Sequence, residues 1–137
     1  MKLAVYSDHP WHQRERVPMS ELAGEKLLML QDGHCLRDQA MGFCFSAGAD
    51  EDTHFRATSL ETLRNMVAAG SGITLMPSLA IPNERERDGV CYIPCDKPVP
   101  QRTIALIYRP GSPLRSRYEQ LAETISAHMR DSGSLSK

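Results

Sequence analysis

The sequence predicts an α/β domain with a largely parallel or mixed sheet, and three observations carry that prediction. Short apolar runs of strand length alternate with helical patterns four or five times along the 137 residues. Glycine or proline stands at most of the boundaries between them, where it breaks either kind of element. The length suffices for one domain with a core of its own, and no repeat or low-complexity segment interrupts it.

Lys2–Ser7 reads as a strand ended by Asp8-His9-Pro10-Trp11, because proline holds the residue before it extended. His9 and His12 are expected as surface or capping groups. Pro18–Gly24 reads as a brief helix with Ser20 as N-cap and Gly24 as its stop, followed by a buried strand at Lys26–Leu30. Gly33 breaks the chain again. Leu36, Arg37, Gln39, Ala40 and Met41 then favour a helix that opens at about Cys35. Ala47–Asp50 is a stop and turn, and Thr53–Ala57 a short strand holding His54. Thr58 and Glu61 have capping-box spacing before a helix whose Leu60, Leu63, Met66 and Val67 share one face. Ile73–Met76 is expected as a central strand, Leu79–Gly89 as a charged, solvated loop, and Val90–Cys95 as extended chain. Cys91 and Cys95 would share a face of that strand about 13 Å apart, too far to bridge or share a zinc ion unless Pro94 bends the chain, and read better as core thiols. Pro98-Val99-Pro100 looks like a hinge and Thr103–Tyr108 like the last strand. Pro113–Arg130 forms an amphipathic helix with Leu114, Tyr118, Leu121, Ile125 and Met129 on one stripe, before a polar tail at 131–137.

Sixteen basic against 17 acidic residues, with no block of either sign, argue against nucleic-acid binding through this chain's own charge. Neither a signal peptide nor an apolar run of membrane-spanning length is present, so the expected compartment is the cytoplasm, without membrane attachment. Cysteines there stay reduced unless they are catalytic, metal-bound or sensory.

Cys35 and Cys44 stand nine positions apart in Asp32–Cys44, DGHCLRDQAMGFC. Cys35 falls in the first helical turn, at the positive end of the helix dipole and beside His34 and Arg37, conditions that favour a thiolate; Asp38 opposes them. Nine helical residues rotate the second thiol by about 900°, to the opposite face, and carry it about 13 Å along the axis. A disulfide needs Cα atoms within roughly 7 Å, so an oxidant that joined the two would have to unwind the helix, and Gly42 is its weak point. From the residues alone two readings stand: a redox pair, or two ordinary buried thiols.

GHCLRDQAMGFCF, followed by GADEDTHFRATSLETLRNMVAAGSGITL, resembles the sensing region of the peroxide-responsive LysR-type transcriptional regulators, and the likeness runs from Leu3 to about Met129. The DHPW turn and SELAGEKLLML resemble the effector-binding domains of that family more widely. The resemblance implies a type II periplasmic-binding-protein-like effector domain. Residues 1–102 would be its second subdomain, 103–130 the returning strand and helix of the first, and 131–137 a disordered tail. Most of the first subdomain, with its pocket threonines, and the N-terminal winged helix-turn-helix would lie outside this chain. By the same resemblance Cys35 is the peroxidatic cysteine, Cys44 the resolving cysteine, and His34, Arg37, Asp38 and His54 the polar surroundings of the peroxide. Hydrogen peroxide is the implied ligand, with no cofactor and no metal. Self-association as a dimer or tetramer of the full-length protein is implied too, with DNA bound only through the N-terminal domain and a thiol reductant such as a glutaredoxin. Two other functions compete with a sensor that is not an enzyme: a thiol peroxidase using the same cysteines, and an effector domain that binds a small organic acid without redox sensing.

Overall fold

In the computed structural model residues 1–82, 85–97 and 99–131 are described. β1 (Lys2–Tyr6) is paired on both sides, antiparallel to β4 (Thr74–Met76) and to β6 (Val90–Pro94), and β5 (Glu86–Arg87) adds to the far edge of β6. β2 (Lys26–Leu30) and β3 (Asp50–Ala57) form a parallel pair. A parallel bridge from Leu27 to Ile73 joins β2 to the start of β4, and the Leu28 N–H donates to the Ile73 carbonyl at 2.8 Å. The sheet is therefore mixed, and Ile73–Met76 lies between β1 and β2 as the apolar run predicted. α1 (Cys35–Ser46) is the crossover between β2 and β3; α2 (Leu60–Ala68) leads from β3 into β4.

Alternation along the strands sorts the core into two clusters. Leu3, Val5, Leu27, Met29, Leu75, Cys91 and Ile93 gather with Ala40 and Cys44 of α1; Ala4, Leu28, Leu30, Met76, Val90 and Tyr92 gather with Leu63 and Val67 of α2. Cys91 and Cys95 are both buried on the first side.

Several local expectations are corrected. The first turn, Met19–Leu22, is a 3₁₀ helix entered from Pro18 without a side-chain cap, so Ser20 is inside it and not its N-cap. Ser59, one residue beyond Thr58, caps α2: its hydroxyl accepts the Thr62 N–H at 3.1 Å. His9 is buried, with Nδ1 accepting the Trp11 N–H at 3.1 Å and its ring edge-on between Tyr6 and Trp11; burial lowers its pKa. The charged connector is not all loop, since Glu86–Arg87 pairs with β6 across Asp88-Gly89, both at positive φ (53° and 80°), the backbone of a tight hairpin turn. Asn83, Glu84 and Pro98, parts of the expected loop and hinge, lie outside the described residues, as do residues 132–137 of the expected tail.

The chain divides into two units, Met1–Arg102 and Thr103–Lys137. In the second, Thr103–Tyr108 forms no strand: a strand needs a neighbour for its backbone N–H and C=O groups, and none among the described residues pairs with it. Ile104, Leu106 and Ile107 are exposed. α3 (Arg115–Asp131) packs Tyr118 near Tyr108 and pairs Arg115 with Glu119 at 2.8 Å, and Leu114, just before it, and Leu121 and Ile125 of its stripe are exposed.

Candidate functional site

α1 begins where the sequence placed it. Gly33 takes φ +89°, a left-handed turn that strains any other residue, and His34 then enters the helix extended, at φ −85° and ψ 115°, without a side-chain cap. Cys35 is the first helical residue and its thiol is exposed. Twelve residues run unbroken to Ser46, so Cys44 stands in the last turns on the opposite face, 1% exposed, among Leu22, Leu27, Ala49 and Cys95. All four cysteines are free. Burial, and secondarily the nearby Cys95, pushes the Cys44 thiol up to about 12. It is a proton-bearing core group at neutral pH, while Cys35 meets solvent. The reading of both as buried thiols is excluded.

Arg37 sits in the first turn of α1, where its N–H donates to the His34 carbonyl at 2.8 Å. Its guanidinium is taken up by carboxylates: Glu51 on β3 at 2.8 Å, Asp32 at 3.3 Å and Asp38 at 3.9 Å. Asp38 itself is exposed. His54 lies in an irregular part of β3. Leu27 pairs with Glu51 and Met29 with Arg56, so two steps of β2 face five of β3 and residues 52–55 bulge outward. Asp52 turns this bulge by accepting the His54 N–H at 2.9 Å, which holds its carboxyl below the usual range, and the exposed His54 ring lies 3.2 Å from the same oxygen.

His34, Cys35, Arg37 and Asp38 are thus brought to one helical turn, and His54 stands with Asp52 on the neighbouring strand. Among the described residues no hydrogen bond or ion pair joins Cys35 to His34, Arg37, Asp38 or His54. Sequence reasoning missed Asp32, Glu51 and Arg56, which bind or flank Arg37. Glu51 sits within the acidic run Asp50–Asp52, and its parallel register with Leu27 sets it beside Arg37.

A family model described as the LysR substrate binding domain matches residues 1–130. The chain belongs to the LysR substrate binding domain family. Within it, a hydrogen peroxide-inducible genes activator of Pectobacterium carotovorum subsp. carotovorum is 82% identical over 130 residues, 95% of this chain and 43% of the relative. The chain therefore spans less than half the length of such curated relatives. The reduced form of OxyR, a crystal structure, superposes with a TM-score of 0.84 at 74% identity, over 93% of this chain and 59% of that one. The oxidised form gives 0.81 at 79% identity, over 94% and 61%. The LysR-type effector fold expected from the sequence is confirmed. No described helix of this family member is long and apolar enough to cross a membrane.

Proposed function

We propose that this domain is the peroxide-sensing part of a LysR-type transcriptional regulator, switched by a reversible disulfide between Cys35 and Cys44. One observation carries the reading: an exposed thiol and a buried thiol, both free, stand at opposite ends and on opposite faces of one unbroken helix. The relatives named for peroxide-inducible genes, and structures known in reduced and oxidised forms, support it.

The chemistry follows from the placement. The Cys35 thiolate attacks one peroxide oxygen, the O–O bond breaks, and hydroxide leaves to become water, with Cys35 as a sulfenic acid. The Cys44 sulfur then attacks the Cys35 sulfur, gives up its proton and releases a second water. Buried and protonated, Cys44 can act only after α1 opens. Oxidation and refolding are thereby coupled, and the changed fold is the signal. His34, Arg37, Asp38 and His54 serve as the polar surroundings of the peroxide, Arg37 and His54 through the partners described above. A dithiol reductant such as a glutaredoxin resets the pair by taking up the disulfide.

We read Met1–Arg102 as the second effector subdomain and residues 103–130 as the segment that returns to the first in longer relatives; the exposed stripe on α3 supports this. On this reading DNA is contacted through the family's N-terminal winged helix-turn-helix, the full-length protein associates as a dimer or tetramer, and the setting is cytoplasmic. The outcome is regulation rather than turnover of substrate.

A substoichiometric peroxide pulse followed by sulfenic-acid trapping and mass spectrometry tests the reading. Cys35 is expected to carry the label well ahead of Cys91 and Cys95, and first labelling at either of those sinks the assignment. Cys44→Ser should leave that step intact, block the intramolecular disulfide and let sulfinic acid accumulate at Cys35.

The helix can also be biased without touching either thiol. Nothing lies within 4 Å of where a Cβ on Gly42 would point, so Gly42→Ala should stabilise α1 by about 0.5–1 kcal/mol. Because the reduced form gains, the potential of the couple should rise by roughly 10–20 mV. Titration in glutathione buffers checks this, and a shift to lower potential contradicts it.

A further inference from the structure

Arg37 is gripped most closely by a residue that has no part in the peroxide chemistry. Glu51, at the start of β3, has a side chain only 8% exposed against 11% for Arg37, and its Oε2 accepts from Arg37 Nη2 at 2.8 Å. Its Oε1 lies 3.2 Å from Arg56 Nε. Asp32, in the loop before α1, closes the ring at 3.3 Å from Arg37 and 2.8 Å from Arg56. Two guanidiniums and two carboxylates thus tie the loop before α1, the first turn of α1 and the paired sections of β3 on either side of its bulge. All four belong to unit Met1–Arg102.

We propose that Glu51 is a positioning residue that acts through Arg37: it keeps the first turn of α1 folded against β3 and so controls the opening that frees Cys44. This rests on the sensing role given above, where that opening is the step between sulfenic acid and disulfide. Removing one partner of a buried ion pair leaves the other charge uncompensated, a far larger effect than losing an exposed pair. The side chains of Glu51 and Arg37 are largely withdrawn from water within a half-buried site; that of Asp32, 71% exposed, is not. The ring is also incompletely satisfied. Arg37 Nε has no hydrogen-bond partner, and Glu51 Oε1, though near Arg56, is not aligned with a donor. Buried polar networks with open valences hold a conformation less firmly than closed ones, which suits a contact that must release.

The test is the rate at which iodoacetamide alkylates Cys44 in the reduced 137-residue chain, resolved by peptide mass spectrometry, beside a glutathione titration of the disulfide. Glu51→Gln should speed Cys44 alkylation about tenfold or more, with Cys35 within about twofold of the parent, and should lower the oxidised glutathione needed for the disulfide by a similar factor. Asp32→Asn should change the Cys44 rate no more than about twofold. Tyr92→Phe removes the hydroxyl that accepts from Arg64, away from α1, and should leave it unchanged. If Glu51→Gln does not fold, Arg56→Gln carries the test with a rise of about threefold. An unchanged Cys44 rate in the folded Glu51 or Arg56 variant overturns the proposal. A faster rate, with no Cys35–Cys44 disulfide in any variant or the parent, upholds the hold on α1 and instead overturns the sensing role.

Discussion

One equivalent of hydrogen peroxide is expected to raise amide exchange across residues 36–43 by about a hundredfold or more, while α2 and β4 stay protected. A helix holds the Cα atoms of Cys35 and Cys44 about 13 Å apart, and a disulfide tolerates roughly 7 Å. Every intermediate turn must therefore open before the bond closes. Those turns bury Leu36 and Ala40, whose protection in the reduced fold reflects packing as well as helical hydrogen bonds. Leu63, Val67 and Leu75 lie in elements that carry no part of the disulfide, and their buried positions need not change. Hydrogen-exchange mass spectrometry with and without peroxide, with Cys35→Ser as control, measures the contrast. A disulfide formed with 36–43 still protected would remove the physical basis of the switch.

The second large effect is alkaline. In the fold the Cys44 thiol is pushed up to about 12 by burial, against 9.0 for a free thiol. The folded state thus keeps a proton that the unfolded chain gives up, so the stabilisation is complete below about pH 9 and is lost as pH rises toward 12. Between pH 8 and 11 the parent should lose about 2–3 kcal/mol more than Cys44→Ala, which lacks the group. Urea unfolding of both, fully reduced, at several pH values gives the difference. Equal slopes would show that Cys44 ionises without unfolding.

Much of this was legible in the sequence because it depends on period alone. Nine residues on a helix put Cys35 and Cys44 on opposite faces, and one is exposed and the other buried. The alternation of Leu3, Ala4 and Val5 sorts them to opposite sides of β1. What was not legible depends on register and on partners. Arg37 read as a neighbour for the thiol, but the pairing of Leu27 with Glu51 gives its guanidinium to a carboxylate 14 residues away. The Asp88-Gly89 pair is a hairpin-turn signal, but it stands inside a charged stretch with the composition of a solvated loop. Thr103–Tyr108 has the composition of a strand, and composition does not provide a neighbour.

The bulge at 52–55 gives β3 a reserve of chain. Its two paired sections are fixed to β2 three residues out of step, so about 10 Å of contour length stands off the sheet a few residues after α1. If α1 uncoils, its 12 residues gain reach too, because a helical residue advances about 1.5 Å and an extended one about 3.3 Å. The crossover between Leu30 and Asp50 would thus gain slack while its ends stay on the sheet, and the bulge adds a second loose stretch just beyond it. The surplus has one place to go, outward, where Phe45 in the last turn of α1 and Phe55 in the bulge already stand half exposed. On the proposed switch, oxidation would rewrite a patch of surface above strands that hold their register.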